Sequence, residues 1–142
     1  MIRIGTCSWK YESWKGIIYP EKDKFNFLEE YSKHFKTVEV DQWFWSLFEG
    51  KKVVLQKSSD VKSYSSSITD DFRFTIKVPN SITLTHFYNK NKSAELKSNP
   101  YFLSNDLFNQ FIETLQPLEK NIGVLMFQFE YLNKQKLSGL TE

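Results

Sequence analysis

Glu39 and Asp41 stand two positions apart in TVEVDQWFW, residues 37–45, and two more groups able to hold or move a proton follow, Lys77 at the end of FRFTIKV and His86 in SITLTH. A carboxylate and an ammonium in one place make either an acid/base pair or a clamp for an anion, and residue types alone leave both open. Asp41 and Lys77 are the candidate catalytic groups. Carboxylates and imidazole also suit divalent ions, so Glu39, Asp41 and His86 are a chemically admissible metal set. Charge inside a stretch that otherwise reads as a strand needs an explanation from the elements around it.

Four segments have strand character: residues 2–8 (IRIGTCS), 37–41 (TVEVD), 72–78 (FRFTIKV) and 122–128 (IGVLMFQ). Between them lie segments of helical period. Asn26 precedes Glu29 by three in a capping-box arrangement, and Phe27, Leu28, Tyr31 and Phe35 share a face. Glu29 and Glu30 open that helix and Lys33, His34 and Lys36 close it, which suits the dipole and assigns His34 no further role. Leu107, Phe108, Phe111, Ile112 and Leu115 recur at helical spacing after Ser104, and Pro117 stops them. A weaker helix is expected over residues 51–64, and residues 86–100 read as loop. Strands alternating with helices predict parallel βαβ units.

Successive strand side chains point to opposite faces. Val38 and Val40 therefore oppose Thr37, Glu39 and Asp41, while Phe72, Phe74, Ile76 and Val78 oppose Arg73, Thr75 and Lys77. The first strand sets Ile2 and Ile4 against Arg3, Gly5 and Cys7. A doubly wound sheet needs two apolar faces. Strands with one apolar face fit a barrel, whose helices cover that face while the charged face points inward. Ligands of such barrels bind at the C-terminal ends of the strands. Those ends carry Trp9, Asp41, Gln42, Lys77 and Gln128, with His86 on the loop beyond, and Trp9, Gln42, His86 and Gln128 are the expected ligand contacts. Glu39 sits about 7 Å deeper than Asp41 at the rise of a strand, where an ion pair with Arg3 or Arg73 would fix register. Cys7, inside the first strand, is expected to be a small buried thiol. Metal-dependent barrels add ligands from later strands, so no metal or other cofactor is expected.

At 142 residues the chain has room for one domain, residues 1–142. The balance of 19 basic and 17 acidic residues, +2 in net, is too even to imply a phosphate-binding surface. Aromatic residues make up 17%. Clusters such as Trp9, Tyr11, Trp14 and Tyr19, or Trp43, Phe44 and Trp45, could stack on bases, so a nucleic-acid partner is the alternative to a small-molecule ligand, but core packing is the simpler use of so many rings. A single cysteine excludes an internal disulfide, and structure begins at Ile2 without a leader pattern, so a cytoplasmic setting is expected. No apolar run is long enough to span a membrane. Walker, HExxH, GxGxxG and paired-cysteine zinc patterns are absent.

IGTCSWKYESWKGIIYP (4–20), LEEYSKHFKTVEVDQWFW (28–45), FRFTIKVPNSITLTH (72–86) and IGVLMFQFE (122–130) together resemble the YecE-like family, a domain of unknown function. The Gly-Thr-x-x-Trp motif, the Thr-Val-Glu strand, the Lys-x-Pro strand end followed by Thr-His, and the strand ending Phe-Gln match in order. The resemblance implies a TIM-type barrel, a cytoplasmic protein and no established reaction. Eight βα units need about 250 residues, so this chain is expected to form the N-terminal half of the barrel, truncated before the fourth helix, and a non-functional remnant is the further alternative to a ligand-binding protein. Its first and fourth strands would then present unpaired backbone, and self-association through these open edges is expected.

Overall fold

The structure, a computed structural model, describes residues 2–48, 52–88 and 95–137. The elements run β1 (Thr6–Cys7), α1 (Phe27–His34), β2 (Thr37–Val40), α2 (Ser58–Ser66), β3 (Arg73–Lys77), α3 (Asn80–Thr83), α4 (Asn105–Thr114) and β4 (Ile122–Met126). The four strands form one sheet in the order β1-β2-β3-β4, all parallel. Each strand lies beside its predecessor, as in a barrel. A doubly wound sheet would reverse direction at a switch point.

α1 and α4 start where their caps dictate. Asn26 accepts the backbone N–H groups of Leu28 and Glu29, and Ser104 accepts that of Leu107, filling donors that a first turn leaves open. α1 then buries Leu28 and Tyr31. The Tyr31 hydroxyl accepts from Thr6 N–H at 2.9 Å and donates to Thr37 C=O at 3.0 Å, tying the start of β1 to the start of β2. α2 begins at Ser58, later than periodicity predicts, because Gln56 is buried and donates to Phe111 C=O at 3.2 Å. The residues before α2 thus pack on α4 and do not wind into a helix.

Val38, Val40, Phe74 and Ile76 are at most 1% exposed and meet Leu28, Tyr31, Val61, Tyr64 and Phe111 from the helices in one core. Thr37, Glu39, Arg73, Thr75 and Lys77 face the other way and are half-buried. The two-face reading of β2 and β3 therefore holds. β1 is shorter than expected, with Ile2 and Ile4 lying 91% and 78% exposed ahead of it. At Gly5 the backbone comes so close to β2 that an added Cβ would stand 2.0 Å from Thr37 O, leaving no space for a side chain. β4 carries a bulge: Phe74 pairs with Ile122 and Thr75 with Val124, so Gly123 is the extra residue. The bulge places Val124 and Met126 on the inner face beside Thr75 and Lys77. Among the described residues no helix is long and apolar enough to cross a membrane.

Candidate functional site

The inner face of the sheet is a hollow of about 250 Å³ lined by Gly5, Thr6, Cys7, Thr37, Val38, Glu39, Thr75 and Met126. Near its mouth Lys77 Nζ lies 3.0 Å from Glu39 Oε1, and Cys7 Sγ donates to that same oxygen at 3.4 Å. β2 and β3 set this geometry. Glu39 is in register with Thr75, so Lys77 stands one layer above it on the same face.

The expected pairing of Glu39 with Arg3 or Arg73 is corrected. Arg73 Nη1 turns back onto the carbonyls of Asp70 and Phe72 at 2.6 and 2.7 Å, and Arg3 Nη2 reaches Asp71 C=O at 3.5 Å. The carbonyls of Asp70 and Phe72 claim Arg73, and Glu39 takes Lys77. The hydrogen bond to Glu39 raises the Lys77 ammonium above the ordinary lysine value, against the opposing effect of burial, with the Glu39, Cys7 and Asp41 charges adding to the rise. A raised folded value means that the pair's stabilisation is fully present below the ordinary lysine pKa and is lost as pH climbs through the folded one. The neutral range leaves it intact.

Cys7 is also corrected: it is exposed, on the inner face of an edge strand. Partial burial pushes its thiol up to about 11, the hydrogen bond to Glu39 and the Asp41 and Glu39 charges push the same way, and Lys77 opposes them. At neutral pH it is a thiol and a poor nucleophile. Asp41 is half-buried just beyond β2, and its carboxylate makes no hydrogen bond or ion pair among the described residues. Its charge still reaches Cys7 and Lys77.

Trp9 is a third correction. It is 1% exposed and meets Tyr64 of α2 edge-on at 5.0 Å, inside the core and away from the mouth. Strand alternation would have put it on the inner face with Cys7, but Ser8 takes a left-handed conformation, φ 65°, and turns the chain over. Tyr19, Trp43 and Phe44 are likewise buried, whereas Trp45 is 64% exposed. Gln42 is exposed, and its amide donates to the Tyr64 hydroxyl. Gln128 is exposed beyond β4. His86 is half-buried, its Nδ1 2.9 Å from Thr85 Oγ1. Among the described residues Glu39, Asp41 and His86 do not gather into a group that could hold a metal ion.

Residues that periodicity passed over hold the mouth together. Asn80 Oδ1 accepts from Ser46 N–H at 2.9 Å, Ser46 Oγ at 3.1 Å and Leu47 N–H at 2.9 Å, while Asn80 N–H donates to Phe44 C=O at 2.7 Å. The loop carrying Asp41 is thereby tied to the loop that follows Lys77. Asn99 Nδ2 fixes the next stretch through Ser81 and Leu84 C=O at 2.8 and 2.6 Å. The asparagine after Lys-x-Pro was the available signal, since such a residue buried beside a turn satisfies open backbone groups.

The profile of the family described as "Protein of unknown function DUF72" matches residues 3–141. The UPF0759 protein YecE of Escherichia coli K12 is 29% identical over 128 residues, covering 90% of this chain and 37% of YecE. Among solved structures, a DUF72 family protein from Enterococcus faecalis V583 superposes with a TM-score of 0.61 at 21% identity, over 97% of this chain and 44% of that one. One from Thermotoga maritima MSB8 gives 0.61 at 20% identity, over 97% and 49%. The chain thus spans less than half the length of these relatives, and its open sheet is an incomplete α/β barrel of their type. With the family model matching nearly its whole length, the chain belongs to the DUF72 family.

Proposed function

We propose that the hollow between β1, β2 and β3 is the floor of a ligand site, completed by further strands, that binds a small polar or anionic molecule at the C-terminal mouth. Lys77 would meet an oxygen of the ligand and Asp41 would accept from a hydroxyl or exchange a proton with it. The observation that carries this reading is Asp41, a carboxylate without a partner among the described residues, at the rim of a hollow whose mouth also holds the Lys77 cation. A charge that serves only register has its partner within the fold, as Glu39 has Lys77.

A titration of the 15N-labelled chain with ribose 5-phosphate, which offers both an anion and hydroxyls, tests the reading. Amide shifts confined to the surroundings of Cys7, Glu39, Asp41 and Lys77 are expected. Lys77→Ala should weaken binding by about tenfold or more, some 1.4 kcal/mol, and Asp41→Asn should do the same with little change in melting temperature. Shifts of equal size in wild type and both variants would contradict the assignment. A large fall in the melting temperature of Asp41→Asn would return Asp41 to a structural role.

A further inference from the structure

Beyond the ends of β3 and β4, the neighbours Thr85 and His86 form a hydrogen-bonded chain with Glu130, 45 residues further along. Glu130 Oε1 lies 3.0 Å from Thr85 N and 2.6 Å from Thr85 Oγ1, and Thr85 Oγ1 lies 2.9 Å from His86 Nδ1. Lys136 Nζ closes on the other oxygen, Glu130 Oε2. Thr85 is 5% exposed. Its segment is held from the side by Asn99 N–H, which donates to Thr85 C=O at 2.9 Å, and by Phe87 N–H, which donates to Lys97 C=O at 2.9 Å.

Counting protons along this chain assigns every donor. Burial pushes the Glu130 carboxyl up, but the hydrogen bonds from Lys136 and Thr85 outweigh it and leave the group below its usual value, so it is ionised. A carboxylate carries no proton, and the Thr85 hydroxyl has one. That proton must lie toward Glu130. Thr85 Oγ1 can then only accept from the imidazole, so Nδ1 bears the ring hydrogen. The hydrogen bond on one ring nitrogen decides the state of the other. Among the described residues no hydrogen bond engages Nε2.

We propose that Glu130 and Thr85 hold His86 as its Nδ1–H tautomer and thereby present Nε2 as a proton acceptor at the mouth of the barrel. The substrate class is a molecule with a hydroxyl group. The O–H bond breaks, the oxygen keeps the electron pair, and the proton forms the Nε2–H bond of an imidazolium. Thr85 and Glu130 stabilise that cation without becoming protonated, the same division of labour that an acid, a base and an orienting group show elsewhere. Thr85 and Glu130 are positioning residues. The use of Nε2 on a ligand rests on the reading of the mouth as a ligand site, whereas the relay stands on its own geometry and can be tested without any ligand.

The chain has two histidines, so His34→Gln leaves one imidazole to observe. In a long-range 15N–1H correlation spectrum, taken where the ring is neutral, His86 should show the Nδ1–H pattern. Thr85→Val removes the acceptor and should shift the ring mainly to the Nε2–H tautomer that a free imidazole favours, while Thr85→Ser should preserve the original pattern. An Nε2–H pattern in the otherwise unaltered chain overturns the proposal even if Thr85→Val fails to fold. So does a Thr85→Val protein that folds and keeps the Nδ1–H tautomer. Neither result bears on whether ribose 5-phosphate binds beside Lys77, so the two readings fail separately.

Discussion

Replacing Asn80 with alanine is expected to destabilise the chain by about 4 kcal/mol, because it strips the acceptor from two buried backbone N–H groups at about 1–3 kcal/mol each. Those groups belong to Ser46 and Leu47, and the Ser46 hydroxyl shares the same acceptor. Ser46, Ser81 and Asn80 are 0–2% exposed, so water cannot take over. Asn80→Asp keeps an acceptor in place and should retain much more of the stability. Urea unfolding followed by tryptophan fluorescence measures both. An Asn80→Ala chain within 1 kcal/mol of the parent, in the sense of a surface substitution at about 0.5 kcal/mol, would show that the two loops are not joined through this side chain. The same substitution should loosen the mouth, since Asn80 sets the Asp41 loop against the end of β3.

Phe74→Ala is expected to cost about 3–5 kcal/mol, the usual range for emptying a fully enclosed aromatic site. Phe74 is 0% exposed and touches Phe72 edge-on at 5.1 Å and Tyr64 at 6.4 Å, so its ring joins the middle strand to α2. Its neighbour Thr75 points to the hollow and packs against none of these rings, so Thr75→Ala should cost well under half as much. The contrast between adjacent positions reports the face assignment of β3 through stability alone. Equal losses at the two positions would mean that the strand is covered on both sides.

The face assignment was legible because β2 and β3 keep a strict period of two, with Val38, Val40, Phe74 and Ile76 on the covered side. The alternation fails where one residue breaks that period. Ser8, at φ 65°, sends Trp9 into the core, and Gly123 offsets β4 by one, leaving Ile122 and Leu125 on the core side and Val124 and Met126 on the other. Ser8 has no local signature, since serine is uncommon in the left-handed region, whereas a glycine inside a strand pattern such as Gly123 is the ordinary mark of a bulge. The Glu39 pairing was misread for a different reason. Arg73 and Lys77 are both one layer from Glu39, and the choice was made by carbonyls of the turn before β3, which composition does not reveal. The bonds that shape the mouth cross 34 residues from Ser46 to Asn80 and 45 from Thr85 to Glu130. Contacts at such separation leave no periodic trace, so their residue types were visible and their partners were not.

Cys7 is the chain's single cysteine and lies in the hollow beside Glu39, which makes it a built-in reporter of the claim that β1, β2 and β3 turn their polar faces to one shared space. The pH dependence of its alkylation by iodoacetamide should have a midpoint at about 11. That midpoint should fall by part of the interval toward the ordinary thiol value of about 8.5 in Glu39→Gln and in Asp41→Asn, because each removes a negative charge that disfavours the thiolate. A midpoint at the ordinary value in the unaltered chain, indifferent to both substitutions, would place the cysteine and the two acids in separate surroundings and contradict the account.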